Sequence, residues 1–271
     1  MIMTKDAEPL SFAKRYGPWA LIAGGSEGVG TSFARKFAAD GINLVLVARK
    51  AEPLEAAKRA LQADYKIDVR TLSLDLTALH AYDRIRAVTD DLEIGMLVYN
   101  AGTDNKSKDF LDRSIESAER TIALNVLGQT RLSHHFGQKM RARGHGGIIL
   151  VGSLLGYVGG GKMSIYAASK AYSHTLAKGL WLELKPYGVD VLGLVLSATR
   201  TPAFERYNLK TDHPDFPPTE PDVVVAEGLA HLGREPLWVV SDAHAFADHL
   251  RTISDAEAVQ LVARSAADML S

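Results

Sequence analysis

The chain contains no cysteine, which excludes disulfide bridges, thiolate nucleophiles and cysteine-ligated zinc. Long apolar runs are missing too. Stretches such as Leu44 to Val47 and Ile148 to Val151 are far shorter than the ~20 residues a membrane-spanning helix needs. Near the N-terminus, Asp6 and Glu8 fall where a secretory signal would have its apolar stretch, so a cytoplasmic protein is expected. Neither sign of charge dominates. A formal net charge of −1 removes the electrostatic argument for nucleic acid or an anionic membrane as a main partner. The nine histidines show no His-Glu-x-x-His and no ligand spacing, and no metal site is expected. Low-complexity segments are absent, and 46% of the residues are apolar, which is ample for a packed core.

What is present is a regular alternation. Short β-rich runs are predicted at Trp19 to Ala23, Ile42 to Ala48, Val69 to Leu74, Met96 to Tyr99, Gly147 to Val151, Val189 to Leu196 and Trp238 to Val240. Between them lie helical stretches at Gly28 to Asp40, Pro53 to Asp64, Leu79 to Leu92, Asp112 to Arg143 and Ile165 to Pro186, with a last one from Ala243 to Leu270. The run from Ile42 to Ala48 is nearly all apolar, as a strand buried on both faces is, while Val69 to Leu74 alternates. Strand–helix alternation implies a parallel sheet covered by helices on both faces. The fold class is therefore α/β, a Rossmann-type doubly wound three-layer sandwich. No internal repeat or linker divides the 271 residues, so a single domain is expected. Only Pro202 to Pro221, with five prolines, breaks the rhythm. Its length and its start beyond the sixth strand suggest a substrate lid rather than a plain surface excursion.

Gly24, Gly28 and Gly30 separate the first strand from the first helix with the spacing G-x-x-x-G-x-G. Such glycines let the backbone approach a ligand, and the helix N-terminus that follows suits a pyrophosphate. A nucleoside-triphosphate loop is excluded there, because Thr31 stands where a lysine is required. Gly156 to Lys162 has the right glycines and lysine, but Met163 follows in place of Ser or Thr. The second strand ends in Arg49-Lys50, with no acid before Glu52. An arginine there accommodates the 2′-phosphate of NADP, whereas an acid would bond the ribose of NAD. Two solvated surface cations are the simpler alternative. Glu27, in the glycine turn, argues against NADP if its charge faces the phosphate.

Tyr166 and Lys170 are four residues apart in a helical segment and so share a face. An ammonium beside a phenol favours tyrosinate and tunes the phenol as a general acid or base. Nine tyrosines and fourteen lysines produce roughly half a Tyr-x-x-x-Lys match by chance, so the context matters. Ser153 lies just past the fifth strand, at the carboxyl edge where open α/β sheets bind ligands. Val151 precedes it where a nucleophile elbow needs glycine, which excludes that hydrolase motif.

With these motifs in place, residues 17 to 201 resemble the short-chain dehydrogenases/reductases. That family's Thr-Gly-x-x-x-Gly-x-Gly is similar to Ala23 to Gly30, and its Asn-Asn-Ala-Gly to Tyr99 to Gly102. Its strand-three acid resembles Asp75-Leu76, and its active-site set resembles Asn125, Ser153, Tyr166 and Lys170. The resemblance implies that Tyr166 exchanges the proton and that Lys170 lowers its pKa and bonds the nicotinamide ribose. It further implies that Ser153 orients the substrate oxygen and that Asn125 positions a relay water. Cofactor contacts are implied for Gly24, Ser26, Gly28, Gly30, Arg49, Asp75, Leu76, Asn100 and Thr201. The family also implies a homotetramer or homodimer. Three positions depart from it. Ala23 and Tyr99 replace Thr and Asn, and Leu196 to Thr201 lacks the Pro-Gly that follows strand six while keeping the threonine.

The expected activity is hydride transfer between NADP(H) and a carbonyl/alcohol pair. A non-enzymatic NADP(H) sensor and the same chemistry with NAD(H) are the alternatives. Phe204, Tyr207, Leu209 and Phe216 in the expected lid point to an apolar carbonyl substrate.

Overall fold

Seven strands form one parallel sheet in the order β3-β2-β1-β4-β5-β6-β7 in the computed structural model, which describes residues 11–102, 108–206 and 218–270. The strands are β1 Trp19–Ala23, β2 Asn43–Ala48, β3 Val69–Ser73, β4 Ile94–Tyr99, β5 Gly146–Ser153, β6 Val189–Leu196 and β7 Leu237–Val239. The Rossmann-type expectation holds, with each strand within two residues of its expected start. Side chains alternate across a strand with period two. Leu21 therefore joins the core on one face of the sheet and Ile22 the core on the other.

Two helical layers cover these faces. On one side lie α2 (Gly28–Ala39), α3 (Ala51–Asp64) and α10 (Pro221–His231), contributing Phe33, Phe37, Leu54, Leu61, Val224 and Val225 to the core. On the other lie α4 (Ala81–Thr89), α6 (Gln129–Arg143) and α8 (Ser164–Leu184), contributing Ile85, Leu132, Phe136, Ala177 and Leu184. Phe33, Phe37 and Phe136 are fully buried, and truncating any of them to alanine costs ~3–5 kcal/mol. Short α1 (Phe12–Tyr16) precedes β1.

Several elements differ from the sequence reading. The long helix expected from Asp112 starts at Ile115 as α5 (Ile115–Ile122) and passes through a π-helical turn, Ala123–Gly128, before α6. The expected C-terminal helix is two, α11 (His244–Leu250) and α12 (Asp255–Leu270). A further helix, α7 (Leu155–Val158), follows β5. The proline-rich segment opens with α9 (Pro202–Arg206), and its last proline, Pro221, begins α10. The sequence signal for α10 was poor because Val223, Val224 and Val225 run together without helical period. Proline in the first turn is nonetheless a helix-start residue.

Candidate active site

The sheet order reverses between β1 and β4, where helices leave to opposite faces and a crevice opens at the strand ends. The glycine turn occupies this point. Gly24 and Gly28 have positive φ (+86° and +58°), a conformation natural to glycine. Asn100, just past β4, clamps the turn. Its side-chain amide donates to Gly24 O at 2.9 Å and its backbone N–H to Ala23 O at 3.0 Å. Gly30 does not line the cavity. It lies within α2, where a Cβ would overlap the Gly24 carbonyl, so its smallness lets turn and helix pack. Glu27 caps α2 only by backbone position, with no side-chain bond to the helix. The first-turn N–H groups of α2 are thus spared a side-chain cap, and they suit a pyrophosphate.

Arg49 and Lys50 are exposed at the end of β2 and line the same cavity as Gly24, Ser26, Gly28, Leu76, Asn100 and Thr201. Glu27 also lines it, but its carboxylate is gripped by Arg206 of α9, with Nη1 donating to Oε2 at 3.0 Å and Nη2 to Oε1. The Arg206 bonds hold Glu27 below the usual carboxylate range against its partial burial, with Arg206, Lys50 and Arg49 adding charge. The charge that the sequence set against NADP is therefore already paired. Asp75 departs from expectation. Leu74 and Leu76 line the cavity, whereas Asp75 accepts bonds from Thr77 N and Oγ1 at 3.0 and 2.7 Å and pairs with Arg120. Burial pushes this carboxyl up, but the Thr77 and Arg120 contacts outweigh it and hold it low.

Helix α8 brings the remaining polar groups together. Tyr166 lies half-buried on the cavity wall. Lys170, one turn on, is 4% exposed; its Nζ donates to Val151 O at 2.8 Å and stands 5.5 Å from the Tyr166 ring centre. Burial pushes the Lys170 ammonium down to about 8, so it remains mostly protonated at neutral pH. Ser153, at the end of β5, lines the cavity, and its Oγ accepts the Leu155 N–H at 3.4 Å. One further turn along α8, buried His174 accepts the Ser153 N–H through Nε2 at 3.4 Å. Burial, then the charges of Lys170 and Lys178, push this imidazole down to about 3, which keeps it neutral and an acceptor. The sequence reading missed His174. Its spacing of four from Lys170 was the available signal.

Asn125 sits on the π-turn and is 2% exposed, with both side-chain polar atoms lacking a protein partner. It lies behind the cavity wall rather than on it, next to Leu124, which does line it. A Cβ on Gly102 would overlap Asn125 Oδ1 and come within 3.0 Å of Lys170 Nζ. The asparagine amide and the ammonium thus border one small space that a glycine keeps open. Buried polar atoms without partners are costly, and this space suits a bridging water.

The cavity measures about 850 Å³, large enough for a dinucleotide arm and a substrate. Beyond β6, where the family has Pro-Gly, Thr199 bridges Thr219, and Thr219 N donates to Ala198 O at 2.9 Å. Thr201 Oγ1 accepts the Phe204 N–H at 3.1 Å, capping α9, while its methyl packs at Gly28. Phe204 is buried and lines the cavity. Tyr207, Leu209 and Phe216 lie outside the described residues. The far wall comes from the C-terminus, through Phe246, Val262, Ala263 and Ser265. Val262 packs in one cluster with Leu155, Tyr157 and Phe246. Nothing in the sequence tied these residues to the site.

The short chain dehydrogenase family model matches residues 18–212. A 7beta-hydroxysteroid dehydrogenase of Mediterraneibacter gnavus is 30% identical over 240 residues, covering 86% of this chain and 89% of the relative. A solved structure from work on 7beta-hydroxysteroid dehydrogenase stereoselectivity superimposes with a TM-score of 0.85 at 25% identity, covering 93% of this chain and 99% of that one. A short-chain dehydrogenase from Sphingobium yanoikuyae in complex with NADPH gives a TM-score of 0.74 at 33% identity, covering 87% and 94%. The chain belongs to the short-chain dehydrogenase family and is, at that level, an oxidoreductase. Among the described residues no helix is long and apolar enough to cross a membrane.

Proposed function

We propose that the protein is an NADP(H)-dependent dehydrogenase/reductase acting on a bulky secondary alcohol or ketone of the hydroxysteroid class. The observation that carries this reading is the convergence of Ser153, Tyr166 and Lys170 beside a glycine turn in one largely apolar cavity. The similarity to 7beta-hydroxysteroid dehydrogenases supports the substrate class. The NADPH complex of a relative, with Arg49 and Lys50 at the end of β2 here, supports the cofactor.

In this reading Ser26, Gly28 and the α2 N-terminus would hold the pyrophosphate, Arg49 would hold the 2′-phosphate, and Lys170 and Thr201 would hold the nicotinamide end. The nicotinamide supplies or accepts the hydride when bound. Ser153 Oγ donates to the substrate oxygen and fixes it beside the phenol. Tyr166 gives its proton to that oxygen in reduction and takes it back in oxidation. Lys170 stabilises the tyrosinate left behind. A water in the space beside Gly102, held by Asn125, reprotonates the site.

The test is loss of NADPH absorbance with a 7-oxosteroid, and gain with a 7β-hydroxysteroid and NADP, each repeated with the NAD pair. Turnover with NADP(H) at least ten times that with NAD(H) is expected, roughly what one charge-assisted phosphate contact provides. Turnover favouring NAD(H) would overturn the role given to Arg49. Tight NADPH binding with no turnover of any ketone would favour a sensor.

A further inference from the structure

Tyr99 stands where the family has asparagine, and the mechanism above makes no use of it. It ends β4, is 3% exposed, and donates its hydroxyl to Leu124 O at 2.6 Å. Leu124 belongs to the π-turn 123–128, immediately before Asn125. Burial pushes the Tyr99 phenol up, which keeps it a protonated donor. At the other end of the same turn, a Cβ on Gly128 would overlap the Tyr99 hydroxyl. Only glycine leaves room for it. The turn's next carbonyl, that of Asn125, is also taken by a side chain. Gln129 Nε2 donates to it and to Ser173 Oγ on α8, the latter at 2.9 Å.

These contacts take up carbonyls of the widened turn. An α-helix keeps its carbonyls along the axis for the N–H four residues on. A π-turn inserts one residue and turns carbonyls outward, a cost tolerated where other donors take them up, and such turns cluster at functional sites. Here the donors are Tyr99 from the sheet, on Leu124 O, and two side chains from the first turn of α6, Gln129 on Asn125 O and Thr130 Oγ1 on Val126 O at 2.7 Å. The widening falls at Asn125, whose side-chain amide borders the space beside Lys170.

We propose that Tyr99 is a positioning residue: its hydroxyl, seated against Gly128, holds the π-turn open and thereby holds the Asn125 amide beside Lys170. The inference rests on the reading of Asn125 as part of the site. Asparagine at position 99 is too short to span from β4 to the turn, so the tyrosine and the glycine form a matched pair.

Crystal structures of the wild type and of Tyr99→Phe test the placement. In the variant, residues 123–128 rewind toward an α-helix and the Asn125 side chain leaves the space beside Gly102. An unmoved Asn125 overturns the proposal. Turnover of a 7-oxosteroid with NADPH tests the consequence. Tyr99→Phe lowers kcat about tenfold, in keeping with a small misplacement, leaves KM for NADPH within about twofold, and causes no further loss when Asn125 is already alanine. An equal loss in both backgrounds assigns Tyr99 to general packing and overturns the proposal. If Tyr99→Phe fails to fold, Gly128→Ala displaces the hydroxyl from the other side and is held to the same outcomes. If the wild type turns over no steroid, the substrate class fails, while the two crystal structures still decide what Tyr99 holds.

Discussion

Arg206 and Glu27, 179 residues apart in the chain, form a two-pronged ion pair across the mouth of the dinucleotide groove. It fastens α9 to the glycine turn and neutralises Glu27, the one carboxylate among the described residues that line the cavity. Both side chains are partly exposed, so the pair is worth ~1 kcal/mol or less to the fold. Its larger effect is on the cofactor. We expect Arg206→Ala to weaken NADPH binding about fivefold and NADH binding much less, since only the former carries the extra phosphate. Adding Glu27→Gln should restore NADPH binding. Fluorescence titration of the three proteins with both cofactors checks this, and equal weakening for NADH would show the pair to be only a fastening.

Tyr166→Phe removes one hydroxyl and no packing. Turnover should fall at least a hundredfold, as loss of a positioned acid does, while NADPH affinity stays within about twofold. Steady-state kinetics with a cofactor titration separates the two. Retained turnover would remove Tyr166 from the chemistry.

Lys170 couples stability to pH. In the unfolded chain its ammonium titrates at 10.5, and in the fold burial lowers this to about 8. Between these values the unfolded state holds more protons, so stability rises with pH across that window, and the full penalty applies below 8. That penalty is about 3 kcal/mol, offset in Lys170→Met by the Val151 carbonyl left unpaired, at ~1–3 kcal/mol. Lys170→Met should therefore melt no lower than the wild type near neutrality, with any advantage fading as pH approaches 10.5, while turnover is lost. Thermal unfolding across that range checks it. In the wild type, reduction should slow as pH rises through about 8 and the cation beside Tyr166 is lost.

The C-terminal wall should govern substrate size. Val262→Trp fills cavity space between α12 and α7. KM for a steroid ketone should rise about tenfold, with small ketones and NADPH binding little affected, and the overpacking itself should cost ~1–3 kcal/mol. Steady-state kinetics on large and small ketones, with a melting curve, decides it. Equal loss for both would place the steroid elsewhere.

Much of the site was legible in the sequence because its parts are local. Gly24 and Gly28 announce a turn, since positive φ is a property of the residue itself. Tyr166 and Lys170 share a face because helical spacing dictates it. Ser153 could be placed at a strand end because the apolar run stops just before it. Asp75 shows the limit of such reading. Its position in the chain suited a cofactor contact, but Thr77 and Arg120 claim its oxygens.

The sequence by itself determined the layered α/β fold, because strand and helix periods and glycine turns are written in neighbouring residues. It also determined the chemical groups available at the strand ends. Tertiary structure alone decided that Arg206 quiets Glu27, that Tyr99 opens the helix at Asn125, that His174 braces Ser153 and that Val262 closes the cavity. These depend on side chains brought together by packing from distant parts of the chain. No short-range pattern records such meetings, because their energy exists only once the core has formed.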